Sequence, residues 1–124
     1  MTTYLIKYGD LYMRFDKTDG SQVKLVDSPN ASQWMVQNET QTTSQTYYNI
    51  VHVKTNLYLK QNGTEITVDN KDKPKGSTSW KLSGFTPASF SSSITNADTD
   101  WSISQQDNIV VAGMKADTWK FQIQ

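Results

Sequence analysis

The chain predicts an all-β fold built from three copies of one four-stranded unit, and three observations carry that prediction. Period-two apolar runs recur along the chain, while no window sustains the i, i+3, i+4, i+7 spacing of an amphipathic helix. Residues 48–82 read as a complete unit: a strand from Tyr48 to Val53, the runs Leu57-Tyr58-Leu59 and Ile66-Thr67-Val68 around an Asn62-Gly63 turn, a polar loop, and a last strand opening with Trp80. Asn-Gly between alternating runs is a strong hairpin signal, because a type I′ turn needs positive φ at both central residues. The same landmarks then recur as Ile6, Leu11, Val23 and Trp34, and as Ile94, Trp101, Ile109 and Trp119. The tryptophans are 46 and 39 residues apart, a period that marks a repeat architecture. Propellers also use four strands per repeat but carry roughly four to eight blades. Three units filling the chain fit a closed threefold barrel capped by hairpins, the β-trefoil.

The first unit covers residues 1–43, with a hairpin turn at Asp16 to Ser21 whose Asp and Gly suit one left-handed residue. Residues 37–46 are wholly polar and read as the joint to the second unit, residues 44–84. Residues 83–92 join it to the third unit, residues 85–124, with Phe85 and Phe90 expected against a barrel end. The third unit is the most degenerate, with a weak first strand at Ser91 to Ile94 and a turn at Gln105 to Asn108. The last strand is expected to pair with the first and close the edge. Trp34, Trp80 and Trp119 are expected at three equivalent core positions, and Trp101, in the slot of Leu11 and Leu57, is read as core too.

With 124 residues the chain suffices for one domain and one core, here a single β-trefoil domain over 1–124. Twelve basic and twelve acidic residues cancel, and only the second unit is basic, chiefly through Lys71, Lys73 and Lys75 in a Pro/Gly loop. A nucleic-acid surface would show basic residues interleaved with aromatics, so no nucleic-acid partner is expected. No apolar run has the length of a membrane span, so no membrane insertion is expected. The chain has no cysteine, and Met1-Thr2-Thr3-Tyr4 does not open a basic-then-apolar leader. These features predict a cytoplasmic protein or one secreted by a non-classical route.

The residues offer little catalytic chemistry. The single histidine, His52, aligns with Tyr8 and Asn96 and reads as a strand-end position near the surface. One histidine without cysteine does not make a zinc site, no Ser lies in a nucleophile elbow, and no Gly-rich loop is built to cradle phosphate. The Asp16–Gly20 stretch is too short for an EF-hand loop. No cofactor or metal is expected, and the expected activity is binding without catalysis. Polar loops on a rigid barrel are a common recognition arrangement. Loops rich in Asn, Asp, Gln, Ser, Thr and Tyr suit ligands that carry many hydroxyls.

The pattern Tyr48-x-Ile50, Leu57-Tyr58-Leu59, Ile66-Thr67-Val68 and Trp80-x-Leu82 resembles a lobe of the ricin-B-like β-trefoil lectins, in particular the small cysteine-free lectins of fungi. The resemblance implies a lectin for galactose or N-acetylgalactosamine-type glycans on glycoproteins, gaining avidity as a homodimer. In that family a lobe binds sugar through an Asp ending the second strand, an aromatic on the third, and an Asn or Gln before the Trp. Here the Asp slots read as Arg14, Lys60 and Ser104, and the aromatic slots as Val26, Asp69 and Ala112. A site in this chain is therefore expected to use other loop residues: Asp16, Asp19, Asn30 and Gln33 in the first unit, and Tyr58, Asn62, Asp69 and Asn70 in the second. The sequence is also similar to fungal β-trefoil protease inhibitors. That alternative would present Lys17, or Lys71, Lys73 and Lys75, to a trypsin-like pocket, or Asn70 to an asparagine-specific protease.

Overall fold

The computed structural model describes residues 1–41 and 45–124, and every regular element among them is a strand apart from two single-turn 3-10 segments. The strands are β1 (Tyr4–Tyr8), β2 (Leu11–Arg14), β3 (Lys24–Val26), β4 (Trp34–Gln41), β5 (Thr46–His52), β6 (Leu57–Asn62) and β7 (Glu65–Asp69). They continue as β8 (Trp80–Leu82), β9 (Phe90–Ser92), β10 (Ile94–Asn96), β11 (Ser102–Gln106), β12 (Ile109–Gly113) and β13 (Trp119–Ile123). No helix among the described residues is long and apolar enough to cross a membrane.

Antiparallel pairing closes a ring through β1, β4, β5, β8, β10 and back through β9 and β13 to β1. Strands β9 and β10 act as one strand interrupted at Ser93, which is why the third unit's first strand looks weak in sequence. The terminal strand pairs with the first in four registered positions, Tyr4 with Ile123 through Lys7 with Lys120. Three hairpins, β2–β3, β6–β7 and β11–β12, cap the ring. They are tied to one another by Val23 N–H to Ile66 carbonyl (2.9 Å), Val110 N–H to Val23 carbonyl (3.1 Å) and Ala112 N–H to Thr64 carbonyl (3.0 Å).

Each tryptophan landmark opens its strand, and Trp34, Trp80 and Trp119 are all fully buried. An aromatic side chain of this kind buries 150–250 Å², which at about 25 cal/mol/Å² is worth about 4–6 kcal/mol apiece as an upper bound. Around them, Ile6, Met13, Leu59, Ile66, Ile103 and Val110 fill the core. Trp101 is only partly buried and packs against that core from outside. Phe85 and Phe90 do close one end: Phe90 stacks on Phe121 at 4.4 Å and meets Phe85 edge-on at 5.3 Å.

Three further sequence expectations are corrected. Residues 37–46 are not a plain joint: β4 and β5 pair from Trp34–His52 out to Gln41–Thr46, extending a ribbon beyond the barrel. Residues 42–44 of that stretch lie outside the described residues. The second hairpin closes on the Asn62–Glu65 pair, so its central residues are Gly63 and Thr64, and Gly63 alone takes positive φ (64°), as the first position of a type II′ turn requires. The two-residue positive-φ turn is found instead in the third unit, at Asp107 (52°) and Asn108 (62°). Third, the inward residue of β12 is Val110, while Ile109 is half-exposed, so the third unit is read one residue out of frame at this strand.

Candidate functional site: two clefts sharing Phe15

Beyond Arg14 the first hairpin leaves β2 and turns outward. Asp16 caps the 3-10 turn Lys17–Asp19, accepting on Oδ1 the Thr18 N–H at 3.0 Å and the Thr18 hydroxyl at 2.7 Å. Its Oδ2 accepts Arg14 Nη2 at 2.7 Å. Arg14 also donates from Nε to Asp19 (3.2 Å) and from Nη1 to the Asn30 carbonyl (2.9 Å). The two Thr18 hydrogen bonds hold the Asp16 carboxyl below its ordinary pKa, with Arg14 and Lys54 adding to the effect. Three of the four residues expected in the first unit, Asp16, Asp19 and Asn30, thus converge on Arg14. Gln33, the fourth, is exposed and lines the same cleft as Arg14 and Asp16.

The facing wall comes from the second unit. Strand β5 ends at His52 and is followed by Val53 and Lys54, which line the cleft with it. His52 is not a surface residue, as its place at the strand end predicts, but 2% exposed. The first hairpin folds over it, and its ring meets Phe15 at 5.4 Å and Trp34 at 5.0 Å, both edge-on. Its Nδ1 pairs with the Thr55 hydroxyl at 2.7 Å and its Nε2 with the Ser32 hydroxyl at 3.1 Å. Burial, and then the nearby Lys54, lower its pKa below the ordinary 6.5. This first cleft encloses about 320 Å³.

A second cleft, about 690 Å³, opens between the first and second hairpins. Phe15, Leu57 and Val68 form its apolar part, and Asn62, Thr67 and Asp69 carry polar groups into it. Asp69 accepts the Asn70 N–H at 2.8 Å and Lys60 Nζ at 3.3 Å, which lower its pKa in that order. Of the residues expected in the second unit, Asn62 and Asp69 therefore reach this cleft. Asn70 touches it only through Asp69, and Tyr58 is half-buried across the β6–β7 register from Asp69 without lining the cleft.

The slots of the lectin pattern are filled differently in each unit. Arg14 is engaged by two carboxylates and a carbonyl, while Lys60 and Asp69 pair with each other. In the third unit Ser104 is buried, and the third-strand slot is Gly113 and not Ala112. Gly113 faces Ser102 across the hairpin as Val26 faces Tyr12 and Asp69 faces Tyr58. The residues that sequence reasoning missed are Phe15, His52 and Lys54. Phe15 was legible as the inward continuation of Leu11-x-Met13, but its meeting with His52 depends on long-range packing between units. Among the described residues no group of three or more His, Cys, Asp or Glu is placed to hold a metal ion.

No protein-family model matches the chain, and no curated protein matches it in sequence. Solved structures do match. A GlcNAcα1-4Gal-releasing endo-β-galactosidase from Clostridium perfringens superposes with a TM-score of 0.81 at 15% identity, over 100% of this chain and 33% of that one. A Polyporus squamosus lectin, solved with the epitope Neu5Acα2-6Galβ1-4GlcNAc, gives 0.71 at 14% identity, over 97% of this chain and 48% of that one. The designed threefold-symmetric protein ThreeFoil gives 0.71 at 10% identity, over 98% of this chain and 96% of that one. The chain thus spans a third of the endo-galactosidase and about half of the lectin. These likenesses show its fold to be β-trefoil lectin-like.

Proposed function

We propose that this chain is a non-catalytic carbohydrate-binding protein, a single β-trefoil of three repeats, that takes a galactose-type sugar of a glycoprotein glycan in the first cleft. The observation that carries the reading is the fixed network around Arg14. Asp16, Asp19 and the Asn30 carbonyl hold the guanidinium from three sides, and Thr18 holds Asp16. Side chains held this way lose little freedom when a ligand arrives, which lowers the cost of binding. The remaining Arg14 N–H groups and the Asp16 carboxylate then offer donors and acceptors to adjacent hydroxyls beside Phe15. The lectin and galactosidase likenesses support the same class of ligand, and a homodimer would raise avidity on multivalent glycans.

A glycan array with labelled protein, run beside Asp16→Ala, tests this reading. It predicts a related set of galactose-terminated hits, weakened about tenfold or more in the variant, the effect of one lost charged hydrogen bond. A blank array, with stoichiometric inhibition of a trypsin-like protease, would move the function to the exposed loop carrying Lys71, Lys73 and Lys75.

A further inference from the structure

Phe15 lines both clefts, and residues adjacent in the chain divide between the two. Asp16 faces the first cleft and Lys17 the second; Lys54 faces the first and Thr55 the second. Consecutive Cα atoms are about 3.8 Å apart, so the ridge is narrow compared with a sugar ring on either side. Ligand sites run roughly 300–1,000 Å³, a range that the two volumes, 320 and 690 Å³, fall within separately and whose upper end they reach together.

The two clefts differ in chemistry. The first is rimmed by charged and amide groups from Arg14, Asp16, Gln33 and Lys54. The second pairs an apolar floor of Phe15, Leu57 and Val68 with a hydroxyl, an amide and a carboxylate from Thr67, Asn62 and Asp69. A pyranose ring is built the same way, with C–H groups on one face and hydroxyls around its edge. The charges around the second cleft balance: Asp69 pairs with Lys60 at 3.3 Å, and Glu65, which accepts the Ser21 hydroxyl at 3.0 Å, shares the cleft with Lys17. A neutral ring therefore fits it better than an anionic one.

We infer that the ligand is a neutral oligosaccharide that straddles Phe15, its terminal residue in the first cleft and its next residues in the second. The inference rests on the carbohydrate reading and adds to it a composite site made by two units, where a lobe-by-lobe reading would place one shallow sugar site within each unit. Neither cleft is complete without the other unit, since His52, Val53 and Lys54 close the first and the first hairpin walls the second.

Titration calorimetry of the intact chain with galactose, lactose and the tetrasaccharide lacto-N-neotetraose tests it. The expected result is an affinity for the tetrasaccharide at least about tenfold above that for galactose, as one added subsite contact of ordinary strength gives. In Asn62→Ala and in Thr67→Val, which remove polar groups from the second cleft only, that ratio falls toward one. Circular dichroism checks that both variants fold. Equal affinities for galactose and the tetrasaccharide, or a gain that survives both substitutions, overturn the straddling site and leave the sugar reading standing. No heat with any of the three probes overturns both.

Discussion

Trp80 donates its indole N–H to the carbonyl of Leu59 at 2.9 Å, and this bond is missing from the first unit. Trp119 makes the equivalent bond to Ile103 at 3.2 Å. Trp34 is equally buried, yet its Nε1 has no partner among the described residues. The carbonyl at the matching position, on Met13, accepts the Ser32 N–H at 3.1 Å, just as the Ile103 carbonyl accepts the Asp117 N–H at 3.3 Å alongside the Trp119 indole. The Ser32 hydroxyl accepts the Phe15 N–H, as Asp117 accepts that of Gln105 in the third unit, and it also bonds His52, which ties it to the first cleft.

The asymmetry among the three indoles gives a stability prediction. Trp80→Phe loses a buried hydrogen bond and strands the Leu59 carbonyl, whereas Trp34→Phe removes a donor that has no partner among the described residues. Urea denaturation should find Trp80→Phe less stable than Trp34→Phe by about 1 kcal/mol. Equal losses would show that the Trp34 indole is satisfied in solution.

His52 sets a pH dependence. Its pKa is lowered in the fold, chiefly by burial, so between the ordinary value of 6.5 and the lower folded value the unfolded chain binds a proton that the folded one does not. Stability should therefore fall as pH drops below 6.5 and level off once the folded histidine titrates. The slope should flatten in His52→Gln, and an NMR titration of the ring should give a midpoint below 6.5.

Asp72 acts at lower pH. Its carboxylate accepts the N–H groups of Lys73 (2.8 Å) and Ser77 (3.0 Å) and the Ser77 hydroxyl (2.8 Å), and its pKa is lowered to about 2, chiefly by Ser77. The stabilisation is present above the unfolded value of 3.8 and is lost as pH falls through about 2. NMR should place the Asp72 midpoint near 2, and Asp72→Asn should remove this part of the acid dependence and loosen residues 71–77.

Gly63 is the one residue of the second hairpin turn that needs the left-handed region, with φ at 64°. A Cβ there would meet nothing within 4 Å, so the penalty of Gly63→Ala is conformational and not steric. Thermal denaturation should show a loss of about 1 kcal/mol.

The fold was more legible than the site, and particular residues show why. Trp34, Trp80 and Trp119 announce their strands because a large buried side chain recurs at nearly fixed spacing. The frame slips at Ile109-Val110-Val111-Ala112, where an unbroken apolar run offers no alternation to fix which residue points inward. The β4–β5 ribbon was missed because its outer part is held by backbone pairing between polar residues, which leaves no apolar signal. The site was half legible. Asp16, Asn62 and Asp69 stand out as polar turn residues, but the cleft exists only because His52 and Lys54 of the next unit pack beside Phe15. Local sequence does not record that meeting.

A map of backbone amide shifts, recorded as a galactose-terminated oligosaccharide is titrated into the labelled protein, locates the sugar site. Saturable shifts are expected at Arg14, Phe15, Asp16, Gln33 and Lys54, spreading into Asn62 and Thr67. Shifts confined to the third unit or to the loop at residues 71–75, or no shifts at all, would contradict this placement.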